Sequence, residues 1–334
     1  MKKKRLRVIL TGGTIASYAG EDGVIRLPRA LPRALAALLE DLLPSDEWEV
    51  QSSSPYLIHS EDVNLHYWNL LLAHLREVLA EEPDAVFIVT GTDTLAYTSN
   101  LLALVCHGLP ISIHLISSDL PPGDPASNAA ANLSSAARAI ISGNISLAAH
   151  TQGVYVHYRN KNGVMRVHRG ERLLQAGDFS TNFLSVPEQI SSKLPDLVAS
   201  IYDAWRARGA AGTPGSTPLL YALPELTAHI LCIRPYPAMD YGLYDLSRVD
   251  AILHGTYHAL TASAEGSGLP ELLTKADKAG VPVYLAPAPS GDMNLYATTE
   301  KIFRTKKAIP LPGLSFELGY AYLLVLYSKS EFCA

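Results

Sequence analysis

Leu6-Arg7-Val8-Ile9-Leu10-Thr11-Gly12-Gly13-Thr14-Ile15-Ala16-Ser17 is the stretch on which the fold turns. A short apolar run stops at a hydroxyl and two glycines, and a further hydroxyl follows. The basic start Met1-Lys2-Lys3-Lys4-Arg5 imitates a secretory leader, but the apolar run behind it ends far too soon for one, so it reads as a first strand. Outward from it the pattern repeats. Short apolar runs at 85–89, 111–116, 147–149 with 154–157, 230–233, 251–253 and 281–285 alternate with helical patterns such as 65–79 and 126–141. Buried strands alternating with helices predict parallel βαβ units. The expected fold is therefore α/β, a large doubly wound, mostly parallel sheet, with ligands at the carboxyl ends of its strands.

A chain of 334 residues exceeds what one core usually sustains, and 48% hydrophobic residues can supply two. Between Trp205 and Leu226 the sequence becomes dense in Gly, Pro, Ser and Thr. Residues 1–205 are thus read as the amino-terminal α/β domain, 206–226 as a linker, and 227–334 as a second, smaller α/β domain. Net charge is -5 with 18% charged residues and no long basic run beyond the start, which argues against nucleic acid and for a small-molecule substrate. Cys106, Cys232 and Cys333 give neither a disulfide framework nor metal-ligand spacing, so a reducing, cytoplasmic setting is expected. No stretch approaches the ~18 apolar residues of a membrane span.

Two loops carry candidate chemistry. In Thr11-Gly12-Gly13-Thr14 the glycines let the backbone turn sharply and a ligand approach peptide N–H groups, placing the Thr14 hydroxyl at a strand's carboxyl end. The loop lacks the lysine and spacing of a P-loop. In Thr90-Gly91-Thr92-Asp93-Thr94, after the run 85–89, hydroxyls and a carboxylate again cluster where a strand gives way to a helix. The competing reading there is a helix N-cap, and the same holds for Ser60-Glu61-Asp62 ahead of a helix opening near Val63. The pair His254 and His258 has poor spacing for a metal and reads as structural or substrate-contacting, while Tyr320, Tyr322 and Tyr327 among leucines read as core or a subunit contact.

Taken together, the two loops resemble those of the bacterial-type L-asparaginases, types I and II. The resemblance runs through nearly the whole chain: His59-Ser60-Glu61-Asp62, residues 124–128 with Asn132-Leu133, and more loosely 254–258, Pro289-Ser290-Gly291 and 314–317. It implies that Thr14 attacks the side-chain amide of L-asparagine, the choice between L-asparagine and L-glutamine being open. Ammonia then leaves, and water hydrolyses the resulting ester. Thr92 would be the second catalytic threonine. Asp93, Glu61 and Glu317 would hold the substrate ammonium and Ser60 its carboxylate, with Gly13 and Gly91 lining the site and backbone N–H groups near Thr92 receiving the oxyanion. No cofactor and no metal are implied, and family members assemble as homodimers or homotetramers.

Two positions depart from the pattern. Gln175 aligns where the family has a lysine behind the second threonine, and Val24 where it has a mobile-loop tyrosine, with Tyr18 as a substitute. Gln175 is a neutral amide and takes no proton, so His258 or Glu317 becomes the expected replacement base. The departures also motivate a rival, a degenerate relative that binds an amino acid or its amide without hydrolysing it. An amidase component of a transfer-RNA amidotransferase is a third reading.

Overall fold

The computed structural model describes residues 2–27, 33–142, 152–208, 217–223, 225–289 and 295–328. Ser290 and Gly291, Cys333 and the expected run at 147–149 lie outside them. The chain divides into two compact units, Met1–Ala199 with Gly212–Leu223, and Ser200–Ala211 with Pro224–Ala334.

In the first unit the strands are β1 (Lys4–Leu10), the small ribbon β2 (Tyr18–Ala19) with β3 (Ile25–Arg26), β4 (Trp48–Ser53), β5 (Ala85–Val89), β6 (Ser112–Ile116), β7 (Gly153–Arg159), β8 (Met165–Arg169), and a second ribbon, β9 (Leu173–Leu174) with β10 (Leu184–Ser185). Six of these form one sheet in the order β4-β1-β5-β6-β7-β8, parallel except for β8. The chain steps from β1 out to β4 and then returns past β1 to β5. The strand order therefore reverses between β1 and β5, and the crevice outside their carboxyl ends is where such sheets bind ligands.

Helices α1 (Arg33–Leu42), α2 (Leu65–Ala80), α3 (Leu95–Val105) and α4 (Ala129–Ser142) cover the sheet. Alternate residues decide which face each one meets. Leu6, Val8, Leu10, Phe87 and Val89 pack against Leu35 and Leu39 of α1 and Leu133 and Ala136 of α4. Ile9, Val86 and Ile88, equally buried, point to the opposite face, which α2 and α3 cover. Because α4 shares the α1 face while the chain steps across the sheet in the same direction as through α2 and α3, the β6–α4–β7 crossover has the uncommon hand.

The domain boundary differs from the sequence reading. It falls at Ala199/Ser200, within α5 (Leu194–Ala207), and the end of the expected linker folds as α6 (Leu219–Ala222) in the first unit. Leu219, Leu220 and Leu223 are buried, and the Arg76 guanidinium on α2 donates to the Leu220 and Leu223 carbonyls at 2.6 Å each. The Gly- and Pro-rich composition just ahead hides a helical turn with a packing face.

The second unit is a parallel sheet of β11 (Ile230–Ile233), β12 (Ala251–His254), β13 (Val283–Ala288) and β14 (Ala308–Pro312) in that order. Helix α7 (Leu269–Ala279) buries Leu269, Leu272, Leu273 and Ala276 in its core and stops at Gly280, whose φ of 69° suits a glycine. Helix α8 (Ala297–Arg304) contributes Ile302. Helix α9 (Phe316–Tyr327) is apolar almost all round and buried against β11, β12 and β13. The mixed α/β architecture, with its large mostly parallel sheet and smaller second unit, is the one expected from the alternating pattern.

Candidate active site

The first loop is built by backbone geometry. Thr11 ties β1 to β5, its N–H and Oγ1 both donating to the Val89 carbonyl at 2.9 and 3.0 Å. The Gly13 N–H then donates to the Ile58 carbonyl at 3.0 Å, and the Ile58 N–H to the Thr11 carbonyl at 3.2 Å. Gly12 and Gly13 adopt φ of 110° and 77°. A Cβ on Gly12 would lie 2.0 Å from the Ile58 oxygen, and one on Gly13 would lie 2.2 Å from the Gly91 Cα, so neither position admits a side chain. Thr14 opens a short 3₁₀ turn from this constriction and is partly exposed between buried Gly13 and Ile15. Ser17 Oγ donates to the Gly13 carbonyl at 2.8 Å and closes the turn.

The second loop meets the first at that constriction. Thr90 extends β5 through a 3.1 Å bond from its N–H to the Ile116 carbonyl, and Gly91 touches both Gly13 and Ser60. Ser60 Oγ donates to Asp93 Oδ2 at 2.9 Å and accepts from the Asp93 N–H at 3.3 Å, and Thr94 Oγ1 donates to the Ser60 carbonyl at 3.2 Å. The capping alternatives do not hold. The residue capping α2 is Asn64, whose Oδ1 accepts from the His66 N–H at 3.0 Å, and the cap position of α3 is Thr94, which makes no side-chain cap bond. Asp93 is instead an exposed carboxylate steadied by a hydroxyl, suited to an ammonium.

Gln175 follows β9 and reaches the same loop. Its Nε2 donates to the Thr92 carbonyl at 3.0 Å and its Oε1 accepts from the Ala96 N–H at 3.2 Å. Gly13, Thr14, Ser60, Gly91, Thr92, Asp93 and Gln175 thus belong to one cluster at the switch point between β1 and β5, and Glu61 stands exposed beside Ser60. Tyr18 and Val24 are both exposed on the ribbon of β2 and β3, which the Asp22–Arg26 ion pair braces at 2.6 Å.

Glu317 and His258 belong to the second unit. Glu317 is buried in the first turn of α9, where Arg234 Nη2 donates to its Oε1 at 3.2 Å while the guanidinium stacks 4.1 Å over the Phe316 ring. His258 is exposed in a turn. His254 is fully buried, bonded through Nε2 to the Tyr241 hydroxyl at 2.7 Å, and burial holds its pKa down at about 4, which makes it a structural imidazole. Sequence reasoning misses the Ile58 backbone, the Ser60–Asp93 bond and the Arg234 partner. Only the polar run Thr98, Ser99 and Asn100, buried on α3, carries a signal of contacts beyond the core.

Fold and cluster together define a class, an α/β protein that gathers threonine hydroxyls and a hydroxyl-held carboxylate at its switch point. The family model described as "Asparaginase, N-terminal" matches residues 5–189, and the chain belongs to the asparaginase family, which makes it an amidohydrolase-type protein. Among similar proteins, one component of the glutamyl-tRNA(Gln) amidotransferase of Aeropyrum pernix is 25% identical over 98% of this chain and 76% of its own length. L-asparaginase 1 of Escherichia coli is 26% identical over 89% of this chain and 84% of its own. The thermostable L-asparaginase of Thermococcus kodakarensis superposes with a TM-score of 0.70 at 22% identity, covering 98% of this chain and 94% of that one, which speaks to the fold.

Proposed function

We propose that this protein hydrolyses L-asparagine to L-aspartate and ammonia. The observation that carries the reading is the meeting of the Thr14 loop, the Thr92 loop and the Ser60–Asp93 pair at one strand-end constriction. Asp93 and Glu61 bind the substrate ammonium and Ser60 its carboxylate. The Thr14 oxygen attacks the amide carbon, backbone N–H groups of the glycine loops receive the developing oxyanion, and as the C–N bond breaks the amide nitrogen takes up the proton given up by the Thr14 hydroxyl and leaves as ammonia. The resulting β-aspartyl ester is then hydrolysed by water, which Thr92 helps to place. Assembly as a homodimer or homotetramer and a cytoplasmic location belong to the same proposal. The location takes its support from a structural neighbour, a probable cytoplasmic L-asparaginase of Campylobacter jejuni. No helix among the described residues is long and apolar enough to cross a membrane.

Ammonia release from L-asparagine and L-glutamine tests the reading directly. The purified chain should release ammonia from asparagine, and Thr14→Ala and Thr92→Val should each lose nearly all of it while staying folded. Retention of more than about a tenth of wild-type kcat in either variant would remove that residue from the mechanism, because losing a nucleophile normally costs orders of magnitude.

One specific observation favours a second reading. The Gln175 amide is spent on two backbone groups and offers no base, as expected of a relative that binds L-aspartate or L-asparagine without turnover. Calorimetric binding with no ammonia released would select it. The amidotransferase relatives point to a role beside partner proteins, and activity that emerges only when such partners are added would select that one.

A further inference from the structure

We propose that Gln175 is a positioning residue that locks the Thr92–Asp93 peptide plane in the site, a proposal that rests on the amidohydrolase reading above. The Thr92 carbonyl and the Asp93 N–H belong to one planar unit. Gln175 Nε2 holds its carbonyl end at 3.0 Å, and Ser60 Oγ holds its amide end at 3.3 Å. A plane pinned at both edges fixes ψ of Thr92 and φ of Asp93, hence the directions in which both side chains leave the loop.

The same amide caps the following helix. The first-turn N–H groups of a helix lack intrahelical partners, and the cap residue Thr94 supplies no side-chain acceptor. Gln175 Oε1, 79 residues further along the chain, accepts from Ala96 N–H at 3.2 Å. The donor and acceptor ends of the amide cannot be exchanged, because a carbonyl needs the NH₂ group and an N–H needs the oxygen. One side chain therefore clamps the turn from Thr92 to Ala96 across its mouth.

Nor is Gln175 an adaptable surface side chain that happens to lie nearby. Ser99 and Asn100 on buried α3 add polar side chains beside the Ala96 N–H, and all three groups meet the segment that leads to Gln175. Ser99 Oγ donates to the Gly170 carbonyl at 3.2 Å, and Asn100 Nδ2 to the Leu173 carbonyl at 2.9 Å. Gly170 itself is pressed so closely onto α3 that a Cβ there would lie 2.8 Å from the Ser99 carbonyl oxygen. Gln175 is the last contact of this seam, so its position is set by the two contacts before it. A proton acceptor is not what the seam supplies. It supplies rigidity, and a displacement of about 1 Å at a catalytic group can cost on the order of a hundredfold in rate.

Gln175→Glu separates the two bonds. The carboxylate still accepts from Ala96 N–H, where a helix N-terminus favours negative charge, but it has no donor for the Thr92 carbonyl and repels it. The expected result is a melting temperature within about 2 °C of wild type, as a retained cap implies. With it, kcat/KM for L-asparagine should fall at least tenfold, kcat and KM both changing. The midpoints of the pH–rate profile should stay in place, since no proton passes through residue 175. Wild-type kcat/KM within twofold at unchanged stability overturns the proposal, as does a profile whose midpoints move. If Gln175→Glu does not fold, Gln175→Met, similar in length and unable to make either bond, takes its place. It should speed amide exchange at Ala96 and lose kcat/KM by the same factor, and unchanged values for both overturn the proposal. A wild type that hydrolyses neither amide rejects the amidohydrolase reading, and the clamp is then read from L-aspartate affinity. That affinity should weaken at least threefold in Gln175→Glu, and an unchanged affinity overturns the clamp.

Discussion

Asp93 and Ser60 are separated by 33 residues, and their bond ties a hydroxyl-rich loop to the segment before α2 in the candidate site. From sequence, Asp93 reads equally well as a helix cap, because Asp and Thr both cap and both occur where strands give way to helices. Only the fold shows that its carboxylate faces Ser60 and that α3 draws its cap from elsewhere. Asp93→Asn should therefore raise KM and lower kcat for L-asparagine, reducing kcat/KM by at least tenfold. The neutral amide can still accept from Ser60 but cannot pair with an ammonium. A near-silent substitution, within twofold in steady-state kinetics, would return Asp93 to a purely local role. Gly13 is legible for a different reason: a double glycine directly after a strand states a backbone requirement without any partner being known. Its φ of 77° and ψ of 177° lie in a region that essentially only glycine occupies, and the atoms a Cβ would strike belong to the Gly91 backbone, which cannot swing aside. Gly13→Ala should cost on the order of 1–3 kcal/mol in urea-unfolding stability and abolish turnover. A fully stable, active variant would show that the two loops do not need their present contact.

At the level of elements, the interior strands of the two larger sheets are legible in the sequence and three of their four edge strands are not. The runs at 85–89, 111–116, 154–157, 251–253 and 281–285 fall on β5, β6, β7, β12 and β13, each flanked by neighbours on both sides and buried on both faces, which is what writes a continuous apolar run. The missed strands β4, β8 and β14 all lie at sheet edges. Trp48-Glu49-Val50-Gln51-Ser52-Ser53 is largely exposed, Met165-Arg166-Val167-His168-Arg169 buries one residue, and Ala308-Ile309-Pro310-Leu311-Pro312 carries two prolines, which an edge strand accommodates. The end of the expected linker folds as α6 because Arg76, far away in sequence, supplies the donors that hold it, while residues 209–216 lie outside the described residues. The seam along α3 makes an element-scale prediction. Gly170→Ala must push against the Ser99 carbonyl and the Val154 side chain, and should destabilise the first unit by about 1–3 kcal/mol. Its activity should fall as well, because the seam carries Gln175. Loss of stability without loss of activity would separate the seam from the site.

Across the whole molecule, the histidines that the site does not use govern how stability responds to acid. In the first unit His114 Nδ1 and His157 Nε2 lie 2.9 Å apart, His157 Nδ1 meets Ser135 Oγ at 2.8 Å, and His168 Nδ1 meets Ser185 Oγ at 2.7 Å. Phe87 and Tyr155 flank His114 on β5 and β7. Burial favours the neutral imidazole at each position, bringing His114 down to about 3 and His168 to about 4 and holding His157 well below 6.5, with the neighbouring His114 adding to the last shift. In the second unit His254 is brought down to about 4, also by burial. The unfolded chain binds these protons near pH 6.5 while the folded chain does not. Their contribution to stability is therefore intact above pH 6.5 and is lost as pH falls toward 4, each histidine contributing a slope of about 1.4 kcal/mol per pH unit. Against a typical total of about 5–15 kcal/mol, a slope of this size is a measurable loss. Urea midpoints at pH 7.5, 6.5 and 5.5 should be nearly level over the first step and drop sharply over the second. His114→Leu should flatten that drop by about one proton's worth. Equal midpoints at pH 7.5 and 5.5 would mean that the imidazoles are hydrated in the folded protein and that the buried row on β6, β7 and β8 opens to water.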